Sequence, residues 1–182
     1  MYAERDGYTS PNNRVSDFIR NVLARNKGRI IATVFPAHFY RIQEIFDEVS
    51  KTHRKIVIMG HALQNTINYA LKNNYLTIDR RVIGDLNNLN DKDVVVLISD
   101  EKEKPFANLE RIIKGYDKFI KLNTNDTIFI TEPAYEGIEK RLATVMDDIA
   151  MLGVNAISLS SKKHLLHHAS REDLSLLINI MN

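Results

Sequence analysis

The sequence predicts an α/β domain of three layers, a mostly parallel sheet flanked by helices. Two observations carry this. Three apolar runs, at 30–35, 55–59 and 93–98, show no alternation with polar residues, so they read as strands buried on both faces. Segments with helical spacing stand between such runs along the whole chain, which is the pattern of crossover units.

Residues 1–12 are polar and carry Gly7 and Pro11, so they form an arm. A helix over 13–26 follows, with Val15, Phe18, Ile19, Val22 and Leu23 on one face. The strand at 28–35 stops at Pro36, which has no N–H to give to a ladder. The helix over 38–52 has Phe39, Ile42, Ile45, Phe46 and Val49 as its apolar stripe. A second buried strand at 55–60 ends on a glycine, and 61–73 reads as its crossover helix. Residues 75–91 are mixed: a short edge strand at 76–78, a turn at Gly84 and a polar, Asn-rich loop. The strand at 93–99 is the clearest in the chain.

The charged loop 100–104 leads through Pro105 into a helix at 106–114. Short strands at 118–122 and 127–131 flank the turn 123–126. A strongly amphipathic helix over 137–152 stops at Gly153, where a C-terminal cap belongs. The last strand is 154–159, and a histidine-bearing loop at 160–169 precedes a final helix that runs to Asn182. Ser170 and Asp173 have the spacing of a capping box at its start. No internal repeat, low-complexity tract or linker divides residues 1–182, which are expected to form a single domain.

A chain of 182 residues buries roughly 70% of its unfolded surface, enough for a sizeable core. Its 44% apolar and 26% charged content is that of an ordinary globular protein. A net charge of +2 permits a polyanion partner without requiring one. Without cysteine there is no disulfide, thiolate metal site or cysteine nucleophile. No apolar run approaches the ~20 residues that span a bilayer, and the N-terminus lacks the apolar core of a signal peptide. The expectation is a soluble, cytoplasmic protein with no membrane partner.

Ligands of an open parallel sheet sit beyond the carboxyl ends of its strands. His38, just past the strand at 28–35, is therefore the first place to look for chemistry. Neither G-x-G-x-x-G nor G-x-x-x-x-G-K-[ST] occurs. The single glycine at Met59-Gly60-His61 is either a tight turn or a place where backbone amides meet a phosphate. The densest signal is Lys162-Lys163-His164-Leu165-Leu166-His167-His168, just before a helix start. Lysine, protonated histidine and free helix N–H groups suit an anion such as an RNA backbone. A solvated polar loop and a metal site at His164 and His168 remain as alternatives, the latter short of the three protein ligands a catalytic zinc usually has. Asp100, Glu101 and Glu103 are either an acid–base set or a solvated face.

Placed in order, these motifs resemble the β-CASP domain of the ribonuclease J family, RNA-processing members of the metallo-β-lactamase superfamily. Residues 3–9, AERDGYT, are similar to the family's N-A-E-R-P-G-Y-T. Residues 28–35 with Arg41-Ile42-Gln43 resemble G-R-I-I-V-A-T-F…R-I-Q, and Arg54-Lys55 through Gly60 resembles R-K-V-A-V-V-G. Asp126-Thr127-Ile128 is similar to D-T-V, and Pro133…Gly137…Glu139 to P-I-P-G-N-E with one residue inserted. His164 through Ala169 matches the outer positions of H-x-S-G-H-A. The blocks cover almost the whole chain.

The resemblance implies a domain that clamps single-stranded RNA for a zinc-dependent ribonuclease of RNA processing and decay. It implies that zinc is held by a metallo-β-lactamase domain of the same parent chain, and that this chain is an excised β-CASP domain, inactive alone and without a metal of its own. By the same resemblance His168 is the catalytic histidine of this domain, and His164, His168 and Gly137 hold phosphates; Lys163, from the charge of the histidine loop, is expected to join them. This moves the emphasis away from His38. The family's T-G-S-Q-G-E-P is here Ser99 through Pro105 without either glycine, and the S-G of H-x-S-G-H-A is Leu166-His167. Those departures leave open an alternative: a non-catalytic or weakly active paralogue that serves RNA binding or assembly with a partner, as a homo- or hetero-oligomer.

Overall fold

A computed structural model gives the fold and describes residues 4, 6–8, 13–101, 103–132, 134–135, 137–159 and 169–181. Five strands form one sheet: β1 (Ile30–Val34), β2 (Lys55–Met59), β3 (Val94–Ser99), β4 (Thr127–Ile130) and β5 (Asn155–Ser158). Their order is β2-β3-β1-β4-β5 and every pairing is parallel. The described helices are α1 (Asn13–Arg25), α2 (Phe39–Ser50), α3 (His61–Lys72), α4 (Ala107–Ile113), α5 (Glu139–Met151) and α6 (Arg171–Met181). The sheet is the expected one, parallel throughout.

β1 lies at the centre, and all five of its residues are buried. Ile30, Ala32 and Val34 face a core shared with α1, α2 and α3, while Ile31 faces a second core shared with α4 and α5. This is why the run shows no alternation. Each fully buried Ile or Val contributes about 1.5–3 kcal/mol relative to its exposed state. The sheet between two apolar helical layers completes the three-layer architecture.

The path from β2 to β3 solves a problem of handedness. The chain moves outward from β1 to β2 through α2, then must return inward to β3, yet α2 and α3 pack on the same face. Parallel crossovers are almost always right-handed, so a return needs the opposite face. The chain obtains it by passing α3 and then bridging the outer edge of β2, where Ile83 pairs with Ile56 and the Gly84 N–H donates to the Ile56 carbonyl at 2.8 Å. Leu89, in the short turn of helix Leu86–Asn90, then packs into the core on the other face before β3 begins.

Two expected strands are not strands. At 76–78, the Thr77 N–H donates to Gln43 Oε1 (2.8 Å) and the Thr77 carbonyl accepts from Gln43 Nε2 (3.0 Å). A side-chain amide satisfies the groups that a neighbouring strand would have paired. At 118–122, Asp117 Oδ1 accepts the N–H groups of both Phe119 and Ile120 at 2.9 Å, which draws these donors away from a ladder. The polar segment 75–91 also holds two 3-10 turns, Arg80–Val82 and Leu86–Asn90, where a loop was expected.

The amino ends of the strands are tied by buried charge. Arg29 donates from Nε and Nη2 to both oxygens of Asp126 (3.1 and 2.7 Å), with further bonds to the carbonyls of Leu89 and Lys121 and to Asn90 Oδ1. Beside it, a Cβ on Gly28 would lie 1.9 Å from the Asn125 carbonyl oxygen, so only glycine fits. Arg54 reaches the Gly28 carbonyl at 3.0 Å and the Asn26 carbonyl.

α5 ends as expected at Gly153, φ +68°, with Gly153 N–H to the Ala150 carbonyl and Val154 N–H to the Ile149 carbonyl. α6 opens with the expected capping box: the Ser170 N–H donates to Asp173 Oδ2 (3.0 Å) and the Asp173 N–H to Ser170 Oγ (3.3 Å). No helix among the described residues is long and apolar enough to cross a membrane.

Candidate functional site

The carboxyl ends of the strands gather the groups with chemistry. Pro36 and Ala37 turn the chain from β1 into α2, and His38 stands at the helix start with its N–H on the Phe35 carbonyl (2.9 Å). Its side chain does not cap the helix. Instead Nδ1–H donates to Glu132 Oε1 at 3.0 Å. The register that pairs Thr33 with Ile130 carries Glu132, two residues past β4, to this turn. Glu132 is buried and His38 is 26% exposed, with its ring edge-on to Phe35.

One turn further along α2, Arg41 and Glu44 form a buried ion pair, and Ser16 Oγ–H donates to Glu44 Oε1 at 2.9 Å. Burial pushes the Glu44 carboxyl above its ordinary range; Arg41 and Ser16 oppose this, and the charge of Glu132 adds to it. His38, Glu132, Glu44 and Arg41 thus make one polar cluster beneath the end of the sheet. The sequence singled out His38 alone. A carboxylate two residues beyond a strand is a usable signal for Glu132, but only once that strand is known to lie beside β1.

Asp100 follows β3, and its N–H donates to the Val34 carbonyl at 2.8 Å. Its Oδ1 accepts the N–H groups of Glu101 (2.9 Å) and Phe106 (2.7 Å). Burial nevertheless holds the carboxyl above its usual value. Phe106 is buried with a left-handed backbone, φ 62°. Glu101 and Glu103 are exposed, which fits the solvated reading of this loop. Burial also raises the Tyr135 hydroxyl, with the charges of Asp100 and Glu103 adding to the effect.

Gly60 ends β2 at φ +92° and opens α3. The N–H of Gly137, one of the expected phosphate contacts, donates to Glu139 Oε2 at 2.9 Å, so a phosphate here would take the place of that carboxylate. Lys163, His164 and His168 lie outside the described residues. Among the described residues no group of three or more His, Cys, Asp or Glu is placed to hold a metal ion.

A family model described as "Ribonuclease J, beta-CASP domain" matches residues 27–149. Proteins named Ribonuclease J 2 from Staphylococcus aureus (strain NCTC 8325 / PS 47) and Staphylococcus epidermidis (strain ATCC 35984 / DSM 28319 / BCRC 17069 / CCUG 31568 / BM 3577 / RP62A) are each 26% identical to it over 182 residues. The alignments cover 98% of this chain and 33% of each relative. The chain spans about a third of the length of the curated relatives it matches.

Proposed function

Because the chain belongs to the β-CASP domain family of ribonuclease J, we propose that it clamps single-stranded RNA for a metal-dependent ribonuclease acting in RNA processing and decay. The observation that carries this reading is the match itself, which takes in four of the five strands and the Arg29–Asp126 pair at their amino ends.

The metal belongs, in this proposal, to a companion metallo-β-lactamase domain, where zinc would activate water and stabilise charge on the phosphoryl oxygens. In this reading the task of this chain is to hold RNA. His168 stabilises the scissile phosphate or assists the leaving group, while His164, Lys163 and the Gly137 turn hold neighbouring phosphates. α6 supports a companion: none of its residues is buried, and Leu177, Ile178, Ile180 and Met181 are each more than half exposed. A helix with so much apolar surface in water is the kind that another domain covers.

One observation favours a second reading, a weakly active or non-catalytic paralogue that binds RNA or assembles with a partner. Where the family motif has glycine after β3, Asp100 puts a carboxylate on the N–H groups of Glu101 and Phe106. Those donors are then engaged, and the negative charge repels phosphate. The two readings part on one assay. Full-length protein carrying this chain, supplied with divalent metal, is expected to degrade 5′-monophosphorylated RNA. Intact RNA after prolonged incubation would leave the paralogue reading in its place.

A further inference from the structure

We propose that the cleft between the carboxyl ends of β2 and β3 and the segment after α4 takes an unpaired nucleobase of single-stranded RNA, stacked on Tyr116 and Phe119. This rests on the reading that the chain works on RNA, but the cleft's lining contains neither His38 nor Glu132.

The cleft has a volume of about 280 Å³, room for a base and its sugar. Its floor is apolar, made by Met59, Ile98, Ile112 and Ile120. Tyr116 and Phe119 stand at its rim, 76% and 56% exposed. Among the described residues neither ring has a stacked partner, so the two form an open platform beside an apolar cleft. The charge around them selects the occupant. Residues 111–121 hold Arg111, Lys114, Lys118 and Lys121 against a single carboxylate, Asp117. That carboxylate is buried and taken up by Arg111 Nη2–H at 2.9 Å and by the Phe119 and Ile120 N–H groups. Exposed aromatics interleaved with cations are the arrangement that binds single strands, with rings under bases and lysines on phosphates. An apolar protein segment would gain from the floor but not from the lysines.

The rim is also held in place before any ligand arrives. The two N–H bonds to Asp117 fix the backbone of Phe119, and Lys121 Nζ donates back to the Gly115 carbonyl at 2.6 Å, closing the loop that carries Tyr116. Binding therefore orders little that is not ordered already.

The test is fluorescence anisotropy of the purified chain with short fluorescein-labelled oligouridylate and oligoadenylate across a series of salt concentrations. Tyr116→Ala with Phe119→Ala should weaken binding about ten-fold or more, as loss of base stacking does. Tyr116→Phe should bind like the parent, because a stacked ring needs no hydroxyl. Lys118→Ala should lower the slope of log affinity against log salt by about 0.7, one phosphate's worth on a single strand. A 4-thiouridine oligonucleotide should photo-cross-link to the peptide carrying residues 116–119. The double alanine variant binding as tightly as the parent, or cross-links mapping only elsewhere, overturns the proposal while leaving the RNA reading intact. No binding of RNA by the parent chain sinks both. RNA that is bound at this rim but never cleaved by the full-length protein removes only the catalytic reading.

Discussion

Asp100 is the residue at which this chain departs most from what a phosphate site wants. A carboxylate stands after β3, buried, with two backbone N–H groups on one oxygen. Because its folded pKa is raised, its contribution to stability is full below the unfolded value, about 3.9, and is lost as pH rises through the folded value. Asp100→Asn keeps an oxygen for both N–H groups and removes the charge. Its Tm should therefore exceed that of the parent at neutral pH, and the two should converge as pH falls into the ordinary carboxylate range. A lower Tm for the variant at neutral pH would show that the charge itself is needed. Composition and spacing placed Asp100 in a mixed-charge loop; nothing local in the sequence distinguishes it from Glu101, which is exposed. The same holds for Arg29 and Asp126, which stand 97 residues apart and meet only because β1 and β4 are neighbours. The resemblance marked both positions. Their geometry explains why: they fasten the amino end of the sheet, away from the carboxyl end where the candidate site lies.

Strands and helices were legible wherever burial decides them. β1, β3 and α2 follow directly from apolar runs and stripes, and the cap at Gly153 follows from glycine alone. The misreadings fall where a polar side chain takes the place of a strand partner. Residues 76–78 and 118–122 both carry apolar residues at strand-like density, yet Gln43 and Asp117 claim their backbone groups. Removing the claimant should expose this. In Gln43→Ala, the Thr77 amide should exchange with solvent about ten-fold faster than in the parent, with global stability lowered by only about 1 kcal/mol, the worth of one or two ordinary hydrogen bonds. Unchanged exchange at Thr77, read by NMR or mass spectrometry, would mean that this segment is held by packing rather than by the glutamine. The candidate site was half legible for a related reason. His38 announces itself after a strand, whereas Glu132, Glu44 and Arg41 join it only through the neighbouring strand and the next turn of the helix.

Across the whole molecule, chemistry and structure divide between the two ends of the sheet. The amino end is closed by Arg29, Asp126, Arg54 and Gly28, and the carboxyl end carries His38, Glu132, Asp100, Gly60 and the aromatic rim at 116–119. α6, capped yet uncovered, projects apolar surface from the same domain. In the proposed function, this arrangement holds a strand of RNA against a companion domain. The most direct measurement is single-turnover decay of 5′-monophosphorylated RNA by the full-length protein with divalent metal, in parent and His168→Ala forms, with RNA affinity measured alongside. We expect decay by the parent and a rate about 100-fold lower in the variant at similar affinity, the loss typical of a general acid or base. A variant that cuts as fast as the parent, or a parent that leaves RNA intact, would contradict a catalytic role for this domain's histidine.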